Sequence, residues 1–165
     1  MQATFEPKTQ NHNSRLSNIY LAQCLNFIQY LNIINKIFIP INFDLNNLIQ
    51  SFENFKYLSQ HSKYFNNYEF NKSVFLINKI PHFDNGFLLL TENESLYSPV
   101  AVLHYEYYSD LADLNNKLDL ISSQLQCIVG DENNSLCNVT FGNAQNPALN
   151  DYADNVDTME FLCNL

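Results

Sequence analysis

The residues best suited to chemistry crowd into one short polar stretch, Thr91 to Ser98, which carries Glu92, Glu94 and Tyr97 and is closed by Pro99. Carboxylates there can accept hydrogen bonds or move protons, and a proline beside them stiffens the backbone that presents them. Four cysteines, Cys24, Cys127, Cys137 and Cys163, could supply a thiolate nucleophile or metal ligands, but no two stand in a CxxC spacing. The histidines His12, His61, His82 and His104 show no ligand spacing, and His104 sits in a strand-like run where a structural or half-exposed residue is expected rather than a general base. Asp151, Asp154 and Asp157 recur every third residue, yet they lack the alternating ligands and the glycine of a calcium loop, so no metal site is expected.

The polar stretch needs elements to hold it. Asp84-Asn85-Gly86 is a turn signal, and the apolar runs Phe87 to Leu90 and Val100 to Leu103 read as two short buried strands on either side of the loop. Loops carried on strands are where sites are commonly built. Upstream, apolar residues from Leu16 through Cys24 to Leu31 recur at helical spacing after Ser14, with residues 1–13 read as a disordered lead-in. Ile37 to Ile39 is a β-rich run ended by Pro40, and Asp44 opens a helix with Leu45, Leu48, Ile49, Phe52 and Phe55 on one face. A further helix is expected over about 66–80, with Tyr68, Phe75, Leu76 and Ile80 turned to the core. Asp110 caps another, bearing Leu111, Leu114, Leu118 and Ile121. Gln126 to Val129 and Val139 to Phe141 read as strands, and Asp157 to Leu165 as a short helix or docked tail. Strands alternating with amphipathic helices make this an α/β chain.

Composition bounds the partners. The 165 residues are 46% hydrophobic and 15% charged, which is enough for one packed core. The 26 asparagines are scattered among periodic apolar residues, so they point to a compositional bias of the source and not to a prion-like tract. A net charge of −9 gives no electrostatic footprint for nucleic acid or an anionic membrane. No run approaches the roughly 18 apolar residues of a membrane span. The first fifteen residues are polar and lack the apolar core of a signal peptide, so a cytoplasmic location with reduced thiols is expected.

Several segments together resemble the C-terminal half of the bacterial fatty-acyl-CoA reductases, relatives of the aldehyde dehydrogenase superfamily that include the reductase subunit of bacterial bioluminescence. They are Lys36-Ile37-Phe38-Ile39-Pro40, Asn66 to Lys72, Phe83 to Leu90 and Glu94-Ser95-Leu96-Tyr97-Ser98-Pro99. The most specific is Phe141-Gly142 followed by Asp151-Tyr152-Ala153-Asp154-Asn155-Val156-Asp157-Thr158-Met159. The resemblance covers residues 36–165 and implies an aldehyde-dehydrogenase-like nucleophile-side domain, with 1–35 a divergent segment bearing one helix. It also implies NADPH-dependent reduction of a fatty acyl-CoA, through a cysteine acyl-enzyme, to a fatty aldehyde. Tyr97, Ser98, Pro99, Phe141 and Gly142 would border the active site. Glu94 would lie near the glutamate position that holds the nicotinamide-side ribose, one residue early when the motif is matched on the proline.

The same resemblance exposes two departures. The family places its nucleophile in a Gly-Leu-Gly-Cys-Arg-Asn-Val-Ser-Lys pattern; here Ile28, Tyr30 and Leu31 replace the two glycines and the cysteine. Cys24 is seven residues early and on an apolar stripe, a weak substitute. With three glycines in all, no GxGxxG exists to cradle a dinucleotide. The expectation is a truncated reductase domain without its dinucleotide-binding domain or nucleophile, binding no cofactor alone and inactive alone. It would either associate with itself or with a missing N-terminal half, or persist as a non-catalytic remnant or partner-binding domain.

Overall fold

A computed structural model describes residues 2–4, 36–125, 127–131, 135–140 and 156–165, with the isolated positions 143, 146, 148 and 151. Among the described residues, seven strands form one sheet. They are β1 (Gln2–Thr4), β2 (Lys36–Pro40), β3 (Phe83–Asp84), β4 (Leu89–Glu92), β5 (Val102–Tyr108), β6 (Ile128–Gly130) and β7 (Val139–Thr140). Their order across the sheet is β3-β4-β5-β2-β1-β6-β7. Every neighbouring pair is parallel except β3–β4 at one edge. This is a mixed α/β fold with a mixed sheet.

The alternation of side chains along β2 sorts the core into two layers. Ile37 and Ile39 point to a cluster built with Leu45, Leu48, Phe52, Phe55, Leu58, Tyr64, Tyr68 and Phe75. These come from α1 (Leu45–Ser51), a 3-10 segment Glu53–Gln60 and α2 (Ser62–Ile77). Phe38 points to the opposite face, where α3 (Leu111–Ile121) supplies Leu114 and Leu118 beside Leu96, Tyr108 and Leu125. Cover on both faces explains why β2, β4 and the start of β5 are buried residue after residue.

Local chemistry sets the element starts. Asp44 accepts from the Asn46 backbone N–H and Asp110 from that of Asp113, each closing an orphan donor of a first turn. Asp157 does the same for Glu160 at the start of α4 (Thr158–Cys163).

Several expectations shift. The strand expected at Phe87–Leu90 starts at Leu89, because the Asn85 side-chain oxygen accepts from the backbone of Phe87 and Leu88 and holds both in the turn. Gly86, at φ +92°, makes that turn passable. The strand expected at Val100–Leu103 begins at Val102 and runs to Tyr108, after a turn with Ala101 at φ +63°. Leu76, expected in the core, is 61% exposed, since α2 turns Tyr64, Tyr68, Asn71 and Phe75 inward instead. The tail from Asp157 is helical but every residue of α4 is exposed, so it is not docked on the described residues. Gln2–Thr4 lies within the stretch read as a lead-in, yet it forms a central strand. Its pairing with β2 and β6 uses backbone groups, which leave no apolar pattern to read. The helix expected from Ser14 to Leu31 lies outside the described residues.

Candidate functional site

β4 and β5 are adjacent and parallel, yet the chain returns between them through residues 93–101 without a helix. Such a return needs anchors, and the anchors form the candidate site. Lys36, the first residue of β2, is 2% exposed and turns its side chain to the α3 face of the sheet. Its Nζ donates to the Glu94 carbonyl oxygen at 2.7 Å and to the Glu106 carboxylate. The ammonium also lies 5.1 Å from the centre of the Phe38 ring.

Glu106 takes a second cation, with Lys117 of α3 2.8 Å from its other oxygen. Lys117 also donates to the Tyr107 carbonyl at 2.7 Å, and Asp113 stands 3.9 Å away. Burial pushes the Glu106 carboxyl up, but hydrogen bonds from Lys117 and Lys36 outweigh it and hold the group below the ordinary carboxylate range. A buried ammonium survives only because its donors are taken up.

His104 sits opposite Lys36 in the β2–β5 register, on the same face. Its Nδ1 is 3.0 Å from the Ser95 carbonyl, so the neutral ring donates there. Burial, then the Lys36 charge, lowers its pKa despite that bond, which keeps it neutral near pH 7. Of the two expectations for His104, structural or half-exposed, the structure shows the first: it is 5% exposed and hydrogen-bonded. The loop is thus pinned at Glu94 and Ser95 by backbone carbonyls, and at Leu96 by burial beside Phe38.

What the pinned loop shows outward is Glu94, with its carboxylate exposed, and Tyr97, 65% exposed. Ser98 is half-buried and Pro99 exposed. The Ser95 hydroxyl donates to the Tyr97 carbonyl at 3.2 Å, tightening the turn. The structure therefore brings Glu94, Tyr97, Ser98 and Pro99 together. Leu31, Cys24, Phe141 and Gly142 lie outside the described residues. Lys36, Glu106 and Lys117 were not singled out as site residues from sequence. The available signal was a carboxylate, Glu106, inside the strand-like run Val102 to Tyr108: a charge placed there implies a partner.

A second polar cluster locks the sheet edge. The Tyr68 hydroxyl donates to Asp84 at 2.7 Å, Lys72 lies 2.8 Å from the other Asp84 oxygen, and the Gly86 N–H adds a third bond at 2.8 Å. Burial raises the Asp84 carboxyl, and the bonds from Lys72 and Tyr68 bring it net below its ordinary value. Lys72 is raised, chiefly by its bond to Asp84. All members have partners, and the cluster ties α2 to the β3–β4 turn.

Among the described residues no three metal-binding side chains converge, and no helix is long and apolar enough to cross a membrane. Cys127 precedes β6, Cys137 precedes β7 and Cys163 is exposed on α4, so none lies on the pinned loop. As a surface for chemistry, the loop offers a hydrogen-bond acceptor beside an aromatic ring, without a nucleophile. No protein-family model, curated protein or solved structure matches the chain.

Proposed function

We propose that this chain is an aldehyde-dehydrogenase-like, nucleophile-side domain of a fatty-acyl-CoA reductase, and that its natural sequence does not complete the reaction. The observation that supports this reading most is the bond from Lys36 to the Glu94 carbonyl. In the reductases that the sequence resembles, the strand opened by this lysine follows the nucleophile by five residues, and the Glu-containing loop borders the active site. Here the strand entry and that loop are fastened together as one wall.

The residues present fit only a fragment of NADPH. An exposed Glu94 carboxylate can accept ribose hydroxyls, and Tyr97 offers a face for stacking. Nothing in the sequence provides the glycine-rich turn that a pyrophosphate requires, so a dinucleotide would be presented by a polypeptide segment outside these residues. When bound in the family, the cofactor supplies hydride. This chain's own contribution is to hold the loop rigid through the buried Lys36 and His104, each hydrogen-bonded to a loop carbonyl.

The test is acyl transfer. The purified chain should show no fatty acyl-CoA-dependent NADPH oxidation and should take up no acyl group from a radiolabelled acyl-CoA. The triple substitution Ile28→Gly, Tyr30→Gly, Leu31→Cys should produce a hydroxylamine-sensitive acyl adduct at position 31. A folded triple variant that takes up no label would overturn the assignment. Turnover by the natural chain that is lost in Cys24→Ala would overturn the missing nucleophile.

A second reading, a non-catalytic partner-binding domain, is favoured by α4 and its flanks, where Val156, Met159, Phe161, Leu162 and Leu165 are all more than half exposed. On that reading a second copy of the chain covers them, and light scattering should show association that Phe161→Asp with Leu162→Asp abolishes. A monodisperse monomer at all concentrations would remove it.

A further inference from the structure

Among the described residues, the side-chain nitrogen Nδ2 of Asn85 is the buried side-chain polar atom that has no hydrogen-bond partner. Such a group carries a desolvation cost with no bond to offset it. The amide faces one way, because its Oδ1 accepts from the backbone N–H groups of Phe87 at 3.2 Å and Leu88 at 2.9 Å. Both donors belong to buried residues, which shelters these bonds from water.

The residue that follows is Gly86, and Asn85-Gly86 is the one Asn-Gly step in the chain. The Gly86 N–H donates to Asp84 Oδ1 at 2.8 Å. Asp84 is fixed in turn by the Tyr68 hydroxyl on that same oxygen and by Lys72 on the other. Burial raises its carboxyl, but the bonds from Lys72, Tyr68 and Gly86 outweigh burial, so Asp84 is ionised at neutral pH. Gly86 itself is exposed, and nothing lies within 4 Å of the place a Cβ would take, which leaves water a route to the turn.

These groups stand where ring closure of an asparagine by the next backbone nitrogen needs them. Gly86 N is the nucleophile, with a carboxylate on its proton. Asn85 Cγ is the electrophile, and two preplaced N–H donors hold the oxygen on which negative charge develops. Nδ2 is the leaving group, and no hydrogen bond has to break for it to depart.

We propose that Asn85-Gly86 is a self-modification site, at which the folded turn closes Asn85 to a succinimide that water opens to aspartate or isoaspartate. The Gly86 nitrogen bonds to Asn85 Cγ as its proton passes to the Asp84 carboxylate. The Cγ–Nδ2 bond then breaks, and the amine leaves as ammonia with that proton. One water adds to either ring carbonyl. Cleavage of the Cγ–N bond gives aspartate, and cleavage of the bond from the Asn85 main-chain carbonyl carbon to nitrogen gives isoaspartate. No oxidant or reductant is consumed. Isoaspartate inserts a methylene into the main chain of the turn that pairs Phe83 with Leu90 and Asp84 with Leu89, and so loosens β3 from the sheet edge.

The full chain is held at neutral pH, sampled over time, digested with an acid protease and read by mass spectrometry, with isoaspartate scored by enzymatic methylation. A synthetic peptide of residues 81–92 in the same buffer is the reference for the unfolded turn. Exchange of amide for acid should localise to Asn85 and run at least about fivefold faster in the full chain, because the base and the donors are already in place. Asp84→Asn keeps the shape of the side chain but removes the proton acceptor, and should slow the reaction to the rate of the peptide. Lys72→Met loosens the same edge while leaving Asp84 more basic, and should not slow it. A full chain that reacts no faster than the peptide would overturn the proposal. So would equal slowing in Lys72→Met and Asp84→Asn, which would assign the effect to the loosened edge and not to the carboxylate.

Discussion

Lys36 is the residue on which the loop depends. Truncating it to Ala leaves Glu106 with one cation, frees the Glu94 carbonyl and opens a gap beside Phe38. Removing one partner of a buried pair costs roughly 3–5 kcal/mol, so Lys36→Ala should lower the denaturant midpoint strongly while Lys36→Met loses less. Glu106→Gln tests the electrostatics. A carboxyl held below its ordinary 4.5 contributes stability that is present above that value and lost as pH falls through the depressed one. The gap in stability between the natural chain and Glu106→Gln should be widest at neutral pH and close on acidification below about 4.5. A gap independent of pH would show that Glu106 acts by packing and not by charge. His104 adds an earlier loss. Because its pKa is lowered from 6.5, the unfolded chain binds a proton first, and stability declines as pH falls from about 6.5. Of these residues, Glu94, Tyr97, Ser98 and Pro99 were legible in the sequence because turn and loop chemistry is local. The Lys36–Glu106–Lys117 network was not, because its members are 70 and 11 residues apart and meet only through the pairing of β2 with β5 and the packing of α3 on the sheet.

At the scale of elements, local signals did best where a cap and a periodic stripe agreed. Asp110 with Leu114 and Leu118 marks α3 in sequence and in space. Asp110→Ala should cost about 1 kcal/mol by leaving the Asp113 N–H unsatisfied, and chemical denaturation should show it. An Asn at 110 should retain most of that stability. Signals failed where side chains overrode propensity. Phe87 and Leu88 look like strand residues, but the Asn85 side chain captures their N–H groups for the turn. The apolar Leu76 follows helical spacing from Tyr68 and Phe75 only loosely and lands on the exposed side of α2. The β4–β5 connection is too short for a helix, and nothing in its composition announces that the strands it joins run parallel. That orientation comes from the anchors at Glu94, Ser95 and Leu96.

For the whole molecule, the decisive element is also the least conspicuous. β1 stands between β2 and β6 and pairs with both, so β6 and β7 reach the rest of the sheet through three residues. Ala3→Pro removes a ladder donor from the middle of a sheet, and global unfolding should shift to lower denaturant with faster amide exchange in both β2 and β6. Unchanged exchange in β6 would show that its stability is independent of β1. The sequence by itself determined the α/β class, the helix starts at Asp44 and Asp110, the strand ended by Pro40 and the polar loop that carries Glu94. Each of these rests on neighbours within a few residues, where spacing and hydrogen-bonding chemistry decide. Only the tertiary structure decided that Gln2–Thr4 is a central strand and that Lys36 holds Glu94. Those depend on register between distant strands, and register is carried by backbone groups that every sequence shares.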